Sequence, residues 1–269
     1  MIPKIVHFYW GKNQSLSYMR YLTVKSFQML NPDWEINVWV PKVISRRRPW
    51  GSGEQGNTYQ GPDYLERLVA KEIDFDMLGI PNNTPEVHKS DLLRWYLLGT
   101  VGGLWSDMDI LYTSHVKQST MEELPDIGLC RYPATGNRTK LFQAIGFLTS
   151  GGPWGKVFFH SLFAFGFSKI PQNDYQAFGA HLLDKFLFKW NGIAPGYINH
   201  TLVYPWRLHQ DVVKYFTDIE LPKHLNCIGY HWFAGNPECS KREINVTEDN
   251  IKDMANKYAI CRKAVEICL

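Results

Sequence analysis

The stretch from His88 to Thr113, HKSDLLRWYLLGTVGGLWSDMDILYT, constrains the fold more than any other. It reads as a helix, a glycine reversal and a strand, with charges at fixed points on each. Thr84, Pro85 and Glu86 stand in the order of an N-cap, a first-turn proline and a first-turn acid, which predicts a helix from there to about Gly99. On helical spacing Leu92, Leu93, Tyr96 and Leu97 share an apolar face, whereas Asp91 and Arg94 point together toward the other side. That side also carries Val87 and Leu98, so it is not a fully solvated face. Gly99 can stop the helix, and Gly102-Gly103 permit a tight reversal into Leu104–Leu111. Alternate side chains of an extended segment share a face, so Asp107 and Asp109 project the same way. Two carboxylates held together at the end of an apolar strand repel each other unless a cation joins them. A hard divalent metal with open positions is the natural partner and the usual means of holding a diphosphate.

Ser90-Asp91-Leu92-Leu93-Arg94 followed by Gly102-Gly103-Leu104-Trp105-Ser106-Asp107-Met108-Asp109 resembles the sugar-binding DXD region of GT-A glycosyltransferases of the family 32 kind, related to the glucosyltransferase domains of large clostridial toxins. In those enzymes a Ser-Asp-x-x-Arg helix precedes a Gly-Gly-x-x-x-Asp-x-Asp strand, and the sixteen positions from Asp91 to Asp107 match the expected interval. A bare Asp-x-Asp arises often by chance; the combined helix, turn and strand do so far less. The resemblance implies an α/β, Rossmann-like GT-A fold with a mixed central sheet flanked by helices. It implies one catalytic domain over residues 1–269, with a donor-binding half at 1–115 and an acceptor-binding half at 116–269 that carries a late metal loop and a C-terminal helix. The implied cofactor is Mn²⁺ or Mg²⁺, with a nucleoside diphosphate sugar as donor. Asp109 would bind the metal, and Asp107 would act through the metal, a water or the donor. Asp91 and Arg94 would hold sugar hydroxyls, with Arg94 also able to meet phosphate.

Ile2 to Gly11, IPKIVHFYWG, reads as a first buried strand whose carboxyl end faces the ligand crevice of open α/β folds. It also resembles the family's opening strand, which implies that Trp10 stacks on the nucleobase with Phe8 and Tyr9 nearby; packing of Trp10 as a cap on the core is the alternative. Tyr18–Leu30 is expected as an amphipathic helix and Glu35–Val40 as a second strand, a strand-helix-strand opening typical of nucleotide folds. A long loop over 41–62 contains Arg46-Arg47-Arg48, either a solvated loop or a contact for a membrane surface or acidic acceptor. A helix is expected from Pro62 to Leu78, then short strands at 128–132 and 144–149 and helices at Lys156–Phe167 and Tyr175–Trp190. Gln143 is a loose match to an amide that lies near the reacting carbon in the resembling enzymes. Val203–Trp206 resembles a family strand, and His209, Gln210 and Asp211 after it receive no role.

Ile228 to Pro237, IGYHWFAGNP, is the second informative stretch. A lone histidine in an apolar run is ordinarily packed and hydrogen-bonded. His231, however, stands in a His-x-x-x-Gly context that looks like the late loop of several GT-A families, where a side chain completes the metal site. A neutral imidazole is a competent Mn²⁺ ligand beside carboxylates. On the same resemblance Trp232 closes over the diphosphate and Asn236 adds a polar group. The tail from Thr247 to Leu269 is expected as a helix.

A net charge of +3 is too small to argue for nucleic acid. The five cysteines, an odd number without CxxC spacing, suggest neither a zinc site nor a disulfide framework, and reduced thiols in a cytoplasmic setting are expected. With no secretory signal at Met-Ile-Pro-Lys and no apolar run of membrane-spanning length, a soluble or peripherally membrane-associated protein is expected. The sequence therefore predicts a retaining hexosyltransferase acting on a glycan, lipid or protein hydroxyl. Two rivals stand beside it. A haloacid-dehalogenase-type phosphatase needs Thr or Val where this chain has Leu111, and its motif normally lies near the chain start. A sugar-nucleotide or glycan-binding protein without turnover would have no need of the full Asp91, Arg94, Asp107 and Asp109 set.

Overall fold

The computed structural model describes residues 1–45, 58–133, 141–167, 174–206 and 211–269. β1 (Ile5–Tyr9) leads through α1 (Tyr18–Leu30) to β2 (Glu35–Pro41), which pairs with it in parallel. β3 (Ala70–Ile73) adds to the outer edge of β2, and α2 (Glu86–Thr100) crosses over to β4 (Gly103–Ser106) on the other side of β1. After β5 (Ile110–Tyr112) and α3 (Gln118–Glu123), β6 (Ile127–Pro133) and β7 (Leu141–Ser150) form an antiparallel pair, and β7 runs antiparallel to β4. α4 (Gly152–Phe167) and α5 (Ala180–Lys189) precede β8 (Gly196–Ile198), which pairs in parallel with β6. The seven-stranded sheet has the order β3-β2-β1-β4-β7-β6-β8. β9 (Gly229–His231) pairs with β5 in a separate two-stranded sheet, and α6 (Pro237–Glu243), α7 (Ile251–Met254) and α8 (Ala259–Cys268) complete the chain.

The mixed α/β architecture implied by the sequence is therefore present, and side-chain alternation explains its layers. Val6, Phe8, Leu104 and Phe147 point to one face and pack with Val24 and Phe27 of α1. Tyr9, Trp105 and Leu148 point to the other and pack with Leu93 and Leu97 of α2 and Phe158, Phe159 and Leu162 of α4. Fully burying each such side chain stabilises the fold by roughly 1.5–3 kcal/mol. A third core joins Tyr18, Met19 and Leu22 of α1 to Tyr230, Trp232, Cys261 and Ala264, docking the C-terminal helices beside β9.

Several local expectations are corrected. Thr84 does not cap α2: its amide closes a turn on the Pro81 carbonyl, and Pro85 occupies the cap position without a side-chain hydrogen bond. Gly99 lies inside the helix. A Cβ there would meet the His160 backbone nitrogen at 2.5 Å, so the glycine serves the close approach of α4. The helix stops instead where Val101 and Gly102 amides both donate to the Leu97 carbonyl, with Gly102 at φ +84. The expected helix over 62–78 is a 3-10 turn at Tyr64–Arg67, strand β3 and a second 3-10 turn at Asp76–Leu78. Pairing with the open edge of β2 overrides helical spacing there. α4 begins at Gly152, α5 begins only at Ala180, 203–206 forms no strand, and the tail is two helices broken at 255–258. Arg46-Arg47-Arg48 lies outside the described residues.

Candidate active site

A cavity of about 230 Å³ opens where β1 and β4 end, lined by Trp10, Ser90, Asp91, Arg94, Asp107 and Asp109 among others. Strand ends next to a crossover leave backbone and loops free to face a ligand. The two acids sit in the turn between β4 and β5, not on the strand, which ends at Ser106. The turn still gathers them: one ligand atom each from Asp107, Asp109 and His231 lie within 4.8 Å of one another.

Arg94 organises the acidic side. Its Nη2 is 3.3 Å from Asp91 Oδ1 and 3.2 Å from Asp107 Oδ1, and its Nη1 donates to the Ile145 carbonyl at 2.5 Å. The guanidinium lies 4.8 Å from the centre of the Trp105 ring, whose indole nitrogen donates to Asp107 Oδ1 at 2.8 Å. Burial alone would raise the Asp107 carboxyl, but the Arg94 charge and His231 outweigh it and hold it well below the usual carboxylate range. Asp91 has the opposite balance: complete burial pushes it up to about 7, against the Arg94 charge and with help from Asp107. Burial likewise raises Asp109, opposed first by His231.

The late histidine reaches this turn through backbone pairing. β5 and β9 align Ile110 with His231, and the Trp232 amide donates to the Asp109 carbonyl at 3.0 Å. His231 Nε2 then lies 3.2 Å from Asp109 Oδ1 and 3.9 Å from Asp107 Oδ2. The Ala234 amide donates to Asp109 Oδ2 at 2.7 Å. Two carboxylates and an imidazole fit Mn²⁺ or Mg²⁺ in donor chemistry. In this structure the Phe233 amide donates to His231 Nδ1 at 3.1 Å, which leaves the ring proton on Nε2. Coordination through Nε2 therefore requires that bond to be given up.

Of the residues expected from sequence, Tyr9, Trp10, Asp91, Arg94, Asp107 and Asp109 line the cavity, and His231 stands against both aspartates. Trp10 is 6% exposed, with its indole nitrogen donating to the Gln14 carbonyl and the Arg20 guanidinium 4.9 Å from its ring. The Tyr9 hydroxyl donates to Glu86. Four expected residues stand elsewhere. Phe8 points to the α1 core, edge-on to Phe27, because it alternates with Tyr9 across the sheet. Trp232 is fully buried and donates to Glu243 at 3.2 Å, and Gly235 of its loop is the residue at the cavity. The Asn236 side chain caps α6 by accepting from the Glu238 and Cys239 amides. Gln143 donates to Asp184 at 3.0 Å and does not line the cavity. Asp211 pairs with Lys214, while His209 and Gln210 lie outside the described residues.

Arg20, Glu86, Tyr175 and Gln176 also line the cavity, although the motifs along the chain do not single them out. Arg20 sits on the buried side of α1, and its Nε donates to the buried Glu243 at 2.9 Å. A cationic residue between Met19 and Leu22 on a core-facing stripe was the available signal. Tyr175 and Gln176 left none, since only the chain path brings them near.

Residues 19–125 match the family described as glycosyltransferase sugar-binding region containing DXD motif. That region includes Asp91, Arg94, Asp107 and Asp109 and ends before His231. No curated protein sequence matches the chain. Similar solved structures include the galactosyltransferase LgtC in complex with donor and acceptor sugar analogues, at 15% identity over 98% of this chain and 96% of that one, TM-score 0.44. The apo form of glycosyltransferase GlyE of Streptococcus pneumoniae TIGR4 shows 13% identity over 99% of this chain and 60% of that one, TM-score 0.45. The catalytic domain of α-toxin from Clostridium novyi shows 12% identity over 72% of this chain and 65% of that one, TM-score 0.39.

Proposed function

We propose that the protein is a retaining, metal-dependent glycosyltransferase that moves a hexose from a UDP- or GDP-linked donor to a hydroxyl on a glycan, lipid or protein. Residues 1–115 form the donor-binding half and 116–269 the acceptor-binding half, in a cytoplasmic protein that is soluble or peripheral to a membrane. The observation that carries this reading is the convergence of Asp91, Arg94, Asp107 and Asp109 with Trp10 around one cavity, and of His231 against the same acids.

Departure of the nucleoside diphosphate builds negative charge on the β-phosphate, and a divalent cation held by Asp107, Asp109 and His231 supplies charge stabilisation where it develops. Trp10 borders the cavity at the end of β1 and offers a ring face to the nucleobase, with Tyr9 beside it. Arg94 is already fixed by Asp91, Asp107 and the Ile145 carbonyl, so its fork needs little reordering to meet sugar hydroxyls or phosphate. Asp91, with its carboxyl pushed up to about 7, can present both a donor and an acceptor to a sugar hydroxyl near neutral pH. Beyond Asp91, Asp107 and Asp109, the described lining of the cavity includes the carboxylate of Glu86, which accepts from the Tyr9 hydroxyl, the Ser45 amide and Lys89 and is thereby committed, and this favours front-face substitution in which the leaving phosphate takes the acceptor's proton.

The test is nucleotide release from a panel of UDP- and GDP-sugars with Mn²⁺, with and without acceptors, and the anomeric configuration of the product by NMR. Release that is unaffected by Asp109→Ala would refute the reading.

A further inference from the structure

We propose that Tyr204 belongs to the cation site, its hydroxyl donating to an oxygen held on the metal; this deepens the metal-dependent reading above. Tyr204 is 2% exposed, and its hydroxyl hydrogen-bonds to no protein atom among the described residues. A buried hydroxyl without a partner is costly; the Tyr59 and Tyr215 hydroxyls share that state, but the Tyr204 hydroxyl is the one that stands beside the acidic turn and His231.

The aim of the hydroxyl is fixed by its surroundings. Its ring stands 4.9 Å from the His231 ring at an interplanar angle of 35°, and 5.8 Å from Phe233, which in turn lies 4.4 Å from His231. Gly146 on β7 faces the same point. A Cβ built there would lie 2.7 Å from Asp107 Oδ2, 2.7 Å from Tyr204 Oη and 2.9 Å from His231 Nε2. The hydroxyl thus converges with two of the three metal-ligating side chains on a space that only a glycine leaves open. A neutral phenol is a weak ligand for a hard cation but a good donor to an oxygen made acidic or anionic by one. That oxygen is a water when the cation binds alone and a phosphate oxygen when the nucleotide is present.

The experiment compares the parent, Tyr204→Phe and Gly146→Ala for Mn²⁺ affinity by titration calorimetry, for affinity for UDP in the presence of Mn²⁺, and for melting temperature in EDTA. Tyr204→Phe removes one oxygen and should weaken binding by about tenfold. Weaker Mn²⁺ binding without nucleotide assigns the hydroxyl to a metal-bound water, and weakening only with UDP assigns it to phosphate. The metal-free variant should melt at the same or a higher temperature, because it buries one unpaired polar atom fewer. A merely structural hydroxyl would lower the melting temperature and leave affinity alone, and that result overturns the proposal, as does unchanged affinity in both arms. Gly146→Ala fills the shared space and should abolish Mn²⁺ binding while the far-ultraviolet circular dichroism is retained; full affinity in that variant places the cation elsewhere. A parent that binds no Mn²⁺ overturns the metal-dependent reading itself, an outcome distinct from a parent that binds with Tyr204→Phe unchanged.

Discussion

His231 Nε2 lies 3.2 Å from Asp109 Oδ1 although 122 positions separate the two residues. The contact is made by the β5–β9 pair, whose register sets Ile110 opposite His231 and so sets the histidine beside the acidic turn. Asp91, Arg94, Asp107 and Asp109 are placed by the α2–β4 reversal, His231 by that pairing, and Arg20 by α1.

Asp109→Asn keeps an oxygen for the Ala234 amide while removing the negative charge and the acceptor that faces His231 Nε2. The fold should therefore persist while Mn²⁺ affinity falls and nucleotide release drops by about a hundredfold or more, the scale of losing a directly charge-stabilising group. Calorimetry and a release assay on the same preparation check both. Addition of EDTA to the parent should reproduce the loss, and Mn²⁺ should restore it.

Arg94→Ala leaves Asp91 and Asp107 without their shared cation in a buried setting. Removing one member of a buried ionic group costs about 3–5 kcal/mol, which urea denaturation should show. Arg94→Lys retains the charge but cannot reach both acids and the Ile145 carbonyl in one fork, so its stability should lie between the two while donor affinity stays low.

The pH dependence of stability should carry a signature of His7. This residue is fully buried, with Nε2 donating to the Gly102 carbonyl at 3.0 Å and Nδ1 accepting from the Trp39 indole at 3.3 Å, the pattern of a neutral ring. Burial pushes it down to about 4 from 6.5. The unfolded chain therefore binds the extra proton first: the stabilisation is complete above about pH 6.5 and is lost as pH falls toward about 4. The loss amounts to about 3 kcal/mol. Urea midpoints of the parent and of His7→Gln across that window should converge on acidification. Parallel curves would exclude the assignment.

Gly99→Ala tests helix packing against helix propensity. Alanine in a helix interior is ordinarily favourable over glycine by about 1 kcal/mol. Here the new methyl would press on His160 backbone atoms at 2.5 and 2.7 Å, and overpacking of this kind costs about 1–3 kcal/mol. A lower melting temperature is expected, and a rise would mean that α4 can step away freely.

Much of the cavity lining was legible in order along the chain. Asp91 and Arg94 fall one helical turn apart, and Asp107 and Asp109 follow a glycine reversal, so local geometry alone brings them close. Trp10 was legible because a strand end faces the crevice of an α/β sheet. Phe8 was misplaced for a related reason: strand alternation sends it to the opposite face from Tyr9, and the resemblance overrode that count. Trp232 and Asn236 point away from the cavity because nearness to His231 in sequence does not determine direction. One faces Glu243 in the third core, and the other closes the first turn of α6.

The order of residues along the chain specifies the chemical groups and their local spacing: a helix with an acid and a guanidinium, a glycine turn, an acidic pair and a family motif over 19–125. Folding in three dimensions brought Arg20 to the cavity and the Tyr204 hydroxyl and Gly146 up to Asp107 and His231, and it left Gln143 away from the cavity. Local spacing follows from backbone dihedrals, which the sequence constrains residue by residue. Convergence across more than a hundred positions follows from strand register and core packing, which are properties of the whole chain.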